Sequence, residues 1–379
     1  MLTGSLLGGV FYSTDNGNNW NKTGTDNLPQ SGCSWALFHP NDHTIWYISS
    51  GGNSSTNRSG WIRKTGGIFR TVDEGNTFEQ IADYDDLGGY YAIIYKLIID
   101  PNNPSTLYAA TSNGIYKTTN ANSADPFWIK VFTGLIFDLE IKPTDNSTLY
   151  ATAFNNGQWK VVISSDYGST WYPMTNQPAI LTNIDFKQNF ITIEVSKAKK
   201  DFLYCVTRND NTHSLYYYDF NQGGMWTNFG THLDNIGFGD GHGFGVDQLT
   251  GENVHISYFT SLRLYNIYNG FAGSRYPVHV DVEDVIYHPY NENELWICTH
   301  GGTEKSIDNG NTWSPQYNGH GVAQVESMAS SFTHPKFALT GLYHDGVQMT
   351  DSDFTPGWEP DWKWLDGFYV DGMEVLIDN

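Results

Sequence analysis

Short apolar runs, each about four to six residues long, recur from one end of the chain to the other. Gly, Pro, Asn and Asp bound them, and none shows the 3.6-residue period of an amphipathic helix. Most belong to a longer unit. A first run precedes a turn rich in Pro and Asn; a second run ends in an aromatic and small residues; a third has the form G-x-Y-x-S. The clearest copy runs from Val285 through His288-Pro289 and Leu295-Trp-Ile-Cys-Thr299 to Gly302 and Ser306. Trp35, Leu97 and Leu139 open earlier copies, and Ile193, Phe244 and Met328 open weaker ones. The period is about 40 to 50 residues with four short strands per unit, the spacing of propeller blades.

Four units close on one octet, S-x-D-x-G-x-T-W. Its copies begin at Ser13, Thr71, Ser164 and Ser306, with Phe78 in the Trp slot of the second. An eroded copy begins at Thr118. The pattern suits a tight hairpin: Asp accepts backbone N–H groups, Gly takes a positive φ, and the aromatic buries area beneath the turn.

The octets resemble the Asp-box, or BNR repeat, of sialidases, sortilin-type receptors, family 74 xyloglucanases, a photosystem-assembly factor and many secreted bacterial proteins. The resemblance implies a β-propeller. It also implies a structural role on the outer blade for Asp15, Asp73, Asp166 and Asp308, away from the axis where ligands bind. The expected fold is all-β, a single propeller domain over 1–379 built from four-stranded blades. Eight blades are expected, or seven if the weak unit at 244–281 is an insertion. The N-terminal run, residues 2–12, reads as a blade without its first strand, and 372–379 reads as a first strand alone. Their pairing is expected to close the ring and remove an exposed sheet edge. The start has no basic, apolar signal segment, so either a signal and other segments have been removed or the numbering starts inside a longer chain, and a longer multi-module chain is expected.

Composition narrows the partners. Formal net charge is -21 and charged residues are 16% of the chain, which argues against nucleic acid and anionic membranes, both of which call for clustered Lys and Arg. No apolar stretch is long enough to span a bilayer. Cys33, Cys205 and Cys298 match no zinc or redox spacing and read as small buried hydrophobes. The sequons at Asn21, Asn53, Asn57 and Asn146 are expected by chance in so Asn-rich a chain.

Candidate chemistry lies in the connections expected near the axis. Thr299-His300-Gly301-Gly302 and Tyr343-His344-Asp345-Gly346 precede third strands. Asp240, His242, His279, Asp281, Glu283, Asp284, His320 and Asp371 lie just before or at the start of first strands. The expected binding set is His242, His279, Asp281, His300, His344, Asp345 and Asp371. The groups could form a hydrated lining, a glycan site with aromatic platforms, or a divalent-cation site such as calcium, although no metal signature has the required spacing. No other cofactor is implied.

Sialidase activity is not expected: the chain has six arginines, and Phe69-Arg70-Thr71-Val72 sits inside an octet strand. Family 74 enzymes carry T-D-x-G-G where this chain has Thr299-His300-Gly301-Gly302, so His replaces the acid. The leading reading is an extracellular, bacterial cell-surface propeller, non-catalytic, binding glycan or protein. The alternative is a family 74-like glycoside hydrolase with catalytic acids among Asp345, Asp281 and Asp371, with Asp240 and Asp284 also in range. An assembly factor like the photosystem one is disfavoured, since that family uses a basic patch.

Overall fold

The structure is a computed structural model. It describes residues 1–5, 8–51, 65–89, 92–178, 189–209, 212–233, 243–258, 260–279, 281–320, 325–331, 333–334, 337–342, 346–350 and 363–364. The chain forms eight antiparallel sheets, seven of four strands and one of three, with one short 3-10 turn as the helical content of the described residues. It is an all-β propeller. Two compact units divide it. Met1–His320 holds seven sheets, and Gly321–Asn379 holds the eighth, which opens at Val325–Ser330.

Within Met1–His320 the first strands of successive sheets pack on one another: Cys33–His39, Ile94–Ile99, Leu135–Ile141, Asn189–Val195, Phe244–Val246 and Val282–Tyr287. These strands are therefore central, and the apolar clusters fill the spaces between neighbouring sheets. The weak unit after residue 244 is a complete four-stranded sheet, so it is a blade and not an insertion.

The first sheet is the three-stranded one, Leu2–Ser5, Gly9–Tyr12 and Asn21–Lys22. Its octet follows its middle strand, as the other octets follow third strands, so a first-strand counterpart is missing among the described residues. The expected partner, 372–379, lies outside the described residues. The first sheet also meets the end of the seventh. The Trp20 indole donates to Gln316 O at 2.7 Å, and Trp20 N–H donates to Asn318 O at 2.9 Å.

Several first strands begin a few residues earlier than the apolar pattern places them, at Ile94, Leu135 and Val282 instead of Leu97, Leu139 and Val285. The reason is a bulge. The pairing register shifts between Ile94 and Lys96, Ile136 and Asp138, and Val282 and Asp284. A bulge breaks the two-residue alternation that marks a strand, so the pattern is legible only beyond it.

The octets share one geometry. Ser306 Oγ donates to Asp308 Oδ1 at 2.9 Å and accepts Gly310 N–H at 2.8 Å. Asp308 in turn accepts the Thr312 N–H at 2.8 Å and its hydroxyl at 2.7 Å. Asp15, Asp73 and Asp166 repeat this pattern, with the Asn19 amide replacing the hydroxyl in the first. Two successive left-handed residues build the turn, such as Asn309 at φ 57° and Gly310 at φ 81°. The hydrogen bonds hold these carboxyls below their usual range, Asp166 at about 2. In the eroded copy, Thr118 Oγ1 donates to Asn120 Oδ1 at 2.8 Å, so Asn120 stands where the carboxylate would be.

Cys33 and Cys205 are buried, Cys298 is half-buried, and all three are free thiols. Among the described residues, no helix is long and apolar enough to cross a membrane.

Candidate functional site

The seventh sheet brings four of the expected residues together. Thr299 ends its second strand and Gly302 starts its third. Thr299 Oγ1 donates to Gly302 O at 3.0 Å and accepts Gly301 N–H at 3.1 Å, locking the turn. A Cβ at Gly301 would stand 2.5 Å from the His279 ring, and Gly302 has φ +123°, so both positions require glycine. The turn displays His300. Its Nε2 lies 3.0 Å from Glu283 Oε1, and its Nδ1 lies 3.7 Å from Asp281 Oδ2.

Asp281 is 8% exposed and held at φ +58°, a conformation that costs energy for a residue with a Cβ. Glu304, 1% exposed, anchors the segment before it by accepting Val278 N–H at 2.8 Å and His279 N–H at 2.7 Å. Tyr317, 46% exposed, lies against Gly302 of this turn, and Tyr276, 70% exposed, comes two residues before the anchored Val278 in the chain. Asp281, Glu283, His300 and His279 therefore share one end of one blade. Asp284 points elsewhere, to the centre. Asp240, His242, His344, Asp345 and Asp371 lie outside the described residues.

A second polar group, which the residue pattern did not predict, occupies the central strands. Lys96 Nζ donates to Asp138 Oδ1 at 2.8 Å and to the Glu140 carboxylate, and it also sits 5.1 Å from the Trp35 ring centroid. Asp138 Oδ2 accepts the Thr192 hydroxyl at 2.6 Å and Ile193 N–H at 2.9 Å. One carboxylate thus ties the third, fourth and fifth sheets together. Glu194 and Asp284 share this field.

Burial pushes Glu140 up to about 7, partly offset by Lys96. Burial, then the Glu140 charge, raises Glu194 well above the usual range. Burial raises Asp284 too. For Lys96, burial alone would lower the pKa, and the carboxylates around it reverse that and hold it well above its ordinary value. The signal in the sequence is faint: Lys96, Asp138, Glu140, Glu194 and Asp284 interrupt otherwise apolar first strands. Among the described residues, no group of three or more His, Cys, Asp and Glu is arranged to hold a metal ion.

His320 belongs to the frame. Its ring lies 5.3 Å from Phe11 and 4.8 Å from Trp20, and burial lowers its pKa to about 4.

Fold and site together define a β-propeller with a charged centre and a polar cluster on one blade end. No protein-family model and no curated protein matches the chain. Solved structures do resemble it. A GH74 enzyme from Niastella koreensis is 16% identical with a TM-score of 0.68, over 99% of this chain and 58% of that one. A GH74 xyloglucanase from Xanthomonas campestris is 14% identical with a TM-score of 0.69, over 91% and 56%. YCF48 from Cyanidioschyzon merolae is 11% identical with a TM-score of 0.52, over 82% and 92%. At these identities the likeness concerns the fold. The chain spans rather more than half the length of the two GH74 enzymes.

Proposed function

We propose that the chain is an extracellular binding or adhesion propeller that recognises a glycan or a protein through the surface around His300, and that it does so without catalysis. The observation that carries this reading is the preorganisation of Asp281. A strained, buried aspartate persists only where its surroundings over-determine it, and here those surroundings include a partly exposed histidine, a second carboxylate and exposed tyrosines. Fixed donors and acceptors beside aromatic faces suit recognition of hydroxyl-bearing or peptide ligands. Asp281 and Glu283 both lie beside His300, so the three offer adjoining polar groups to a single ligand. Placement outside the cell, on a bacterial surface and within a longer chain, accords with the resemblance of the octets.

A second reading, a glycoside hydrolase like the GH74 enzymes, is favoured by one observation. Glu140 is raised to about 7 and lies near a second carboxylate, Asp138, which accepts Lys96 and three further hydrogen bonds, and a carboxyl raised towards neutrality can serve as a general acid. A glycosidase also needs its two carboxyls roughly 5 to 10 Å apart across the substrate. Glycan and protein arrays run beside a polysaccharide-hydrolysis screen separate the two. Binding lost in His300→Ala and Glu283→Gln, with no turnover, supports recognition. Hydrolysis abolished by Glu140→Gln or Asp281→Asn sinks the non-catalytic reading.

A further inference from the structure

The sixth sheet carries a cation with no carboxylate partner among the described residues. Arg263 lies on its third strand, Ser261–Asn266, opposite Ile256 and Ser274. Its guanidinium carbon sits 4.0 Å from the Tyr258 ring centroid and 5.6 Å from that of Phe271. The Nε is buried, and no acceptor among the described residues reaches it. A buried guanidinium N–H left without an acceptor is costly, because arginine stays charged and has only donors to offer.

The surroundings sharpen the point. His232, on the last strand of the fifth sheet, meets the same Tyr258 edge-on at 5.4 Å. Burial, then the Arg263 charge, disfavours protonation of His232, so the arginine is the fixed charge of the group. The chain has 41 acidic residues against 20 Lys and Arg, so an arginine without a carboxylate partner among the described residues stands out against that excess.

We propose that Arg263, framed by Tyr258 and His232, seats one carboxylate of a ligand, and that this ligand is a glycan bearing isolated uronic acids. The inference rests on the reading of the chain as a glycan binder. A single fixed cation matches a single carboxylate, while the net charge of -21 repels polyanions. The residues between Arg263 and His300 favour a saccharide over an acidic peptide. Ser274 pairs with Arg263, and two residues on, Tyr276 is exposed. The chain then passes Val278 and His279 to the turn bearing His300, where Tyr317 lies against Gly302. Exposed tyrosines offer flat apolar faces with a polar rim, suited to the mixed faces of neutral sugar rings.

Calorimetric titration of the full chain tests this with two probes, a galactose trimer in which one residue is replaced by galacturonate (the acid trimer) and its carboxyl-reduced, all-galactose counterpart. The wild type is expected to prefer the acid trimer by about 10- to 100-fold, the range of a charge-assisted hydrogen bond. Arg263→Met erases that preference and Arg263→Lys keeps part of it. Should Arg263→Met fail to fold by circular dichroism, Arg263→Lys and the loss of the preference in high salt decide the matter. Equal binding of both trimers by the wild type overturns the proposal and leaves glycan recognition at His300 standing. Binding of neither trimer nor any glycan overturns both. Arg263-dependent binding of an acidic peptide, with neither trimer bound, overturns the glycan assignment.

Discussion

Replacing Glu140 by glutamine removes a carboxylate from a centre that holds four of them around one lysine. Glu140 titrates at about 7 against an ordinary 4.5, because burial outweighs the attraction of Lys96. The gap is about 2.5, and at 1.36 kcal/mol for each unit it corresponds to a ceiling of about 3 kcal/mol. Glu194 titrates together with it, so about 1–3 kcal/mol is the working range.

The sign comes from linkage. A carboxyl whose folded pKa is raised penalises the folded state when ionised. The penalty is complete above about pH 7 and disappears as the pH falls towards 4.5. Glu140→Gln is therefore expected to be more stable than the wild type at pH 8.5 and nearly equal to it at pH 4.5. Lys96 keeps Asp138 in the variant. Urea unfolding at both pH values, followed by tryptophan fluorescence, reads the difference. Titrating groups that do not interact with Glu140 are common to both proteins and cancel, while Glu194, relieved of the Glu140 charge, shifts the difference in the same direction. A variant less stable than the wild type at pH 8.5 would show that the Lys96–Glu140 pair is net stabilising and would refute the reasoning.

The same contacts set other outcomes. Asp138→Ala leaves Lys96, the Thr192 hydroxyl and Ile193 N–H without their shared acceptor, and a loss of about 3–5 kcal/mol is expected in denaturant unfolding. Ser306→Ala removes a buried hydroxyl that bridges Asp308 and Gly310 N–H; its cost, about 1–2 kcal/mol, should appear as a lowered Tm. Gly301→Ala drives a Cβ into His279, so ligand binding should weaken more than overall stability, read by titration beside a thermal melt. Acid acts in the opposite direction on His320, whose folded pKa is about 4 against 6.5: stability is full above 6.5 and falls as the pH drops towards 4. His320→Phe, seated between Phe11 and Trp20, should flatten that acid limb, and an unchanged limb would count against the assignment.

Much of the frame is legible in the residues alone. The tight hairpin at each octet is legible because its hydrogen bonds span two to four residues, Ser306 to Asp308, Gly310 and Thr312, so a local pattern carries the local geometry. The sheets arise from the same repeat, since each unit pairs with its own neighbours along the chain. Thr299-His300-Gly301-Gly302 is also visible, its glycines marking where a Cβ has no room.

Tertiary structure alone decided the centre and its charge. Lys96, Asp138 and Thr192 belong to three different repeats, and their meeting depends on how first strands pack around an axis, which no local window contains. Bulges hid Lys96, Asp138 and Asp284 further by breaking the alternation at the positions that carry them. Arg263 and His232 likewise come from adjacent blades. Short-range hydrogen bonding and strand pairing let the sequence specify the blade, while the chemistry of the charged centre arises between blades, from contacts that only the packed sheets create.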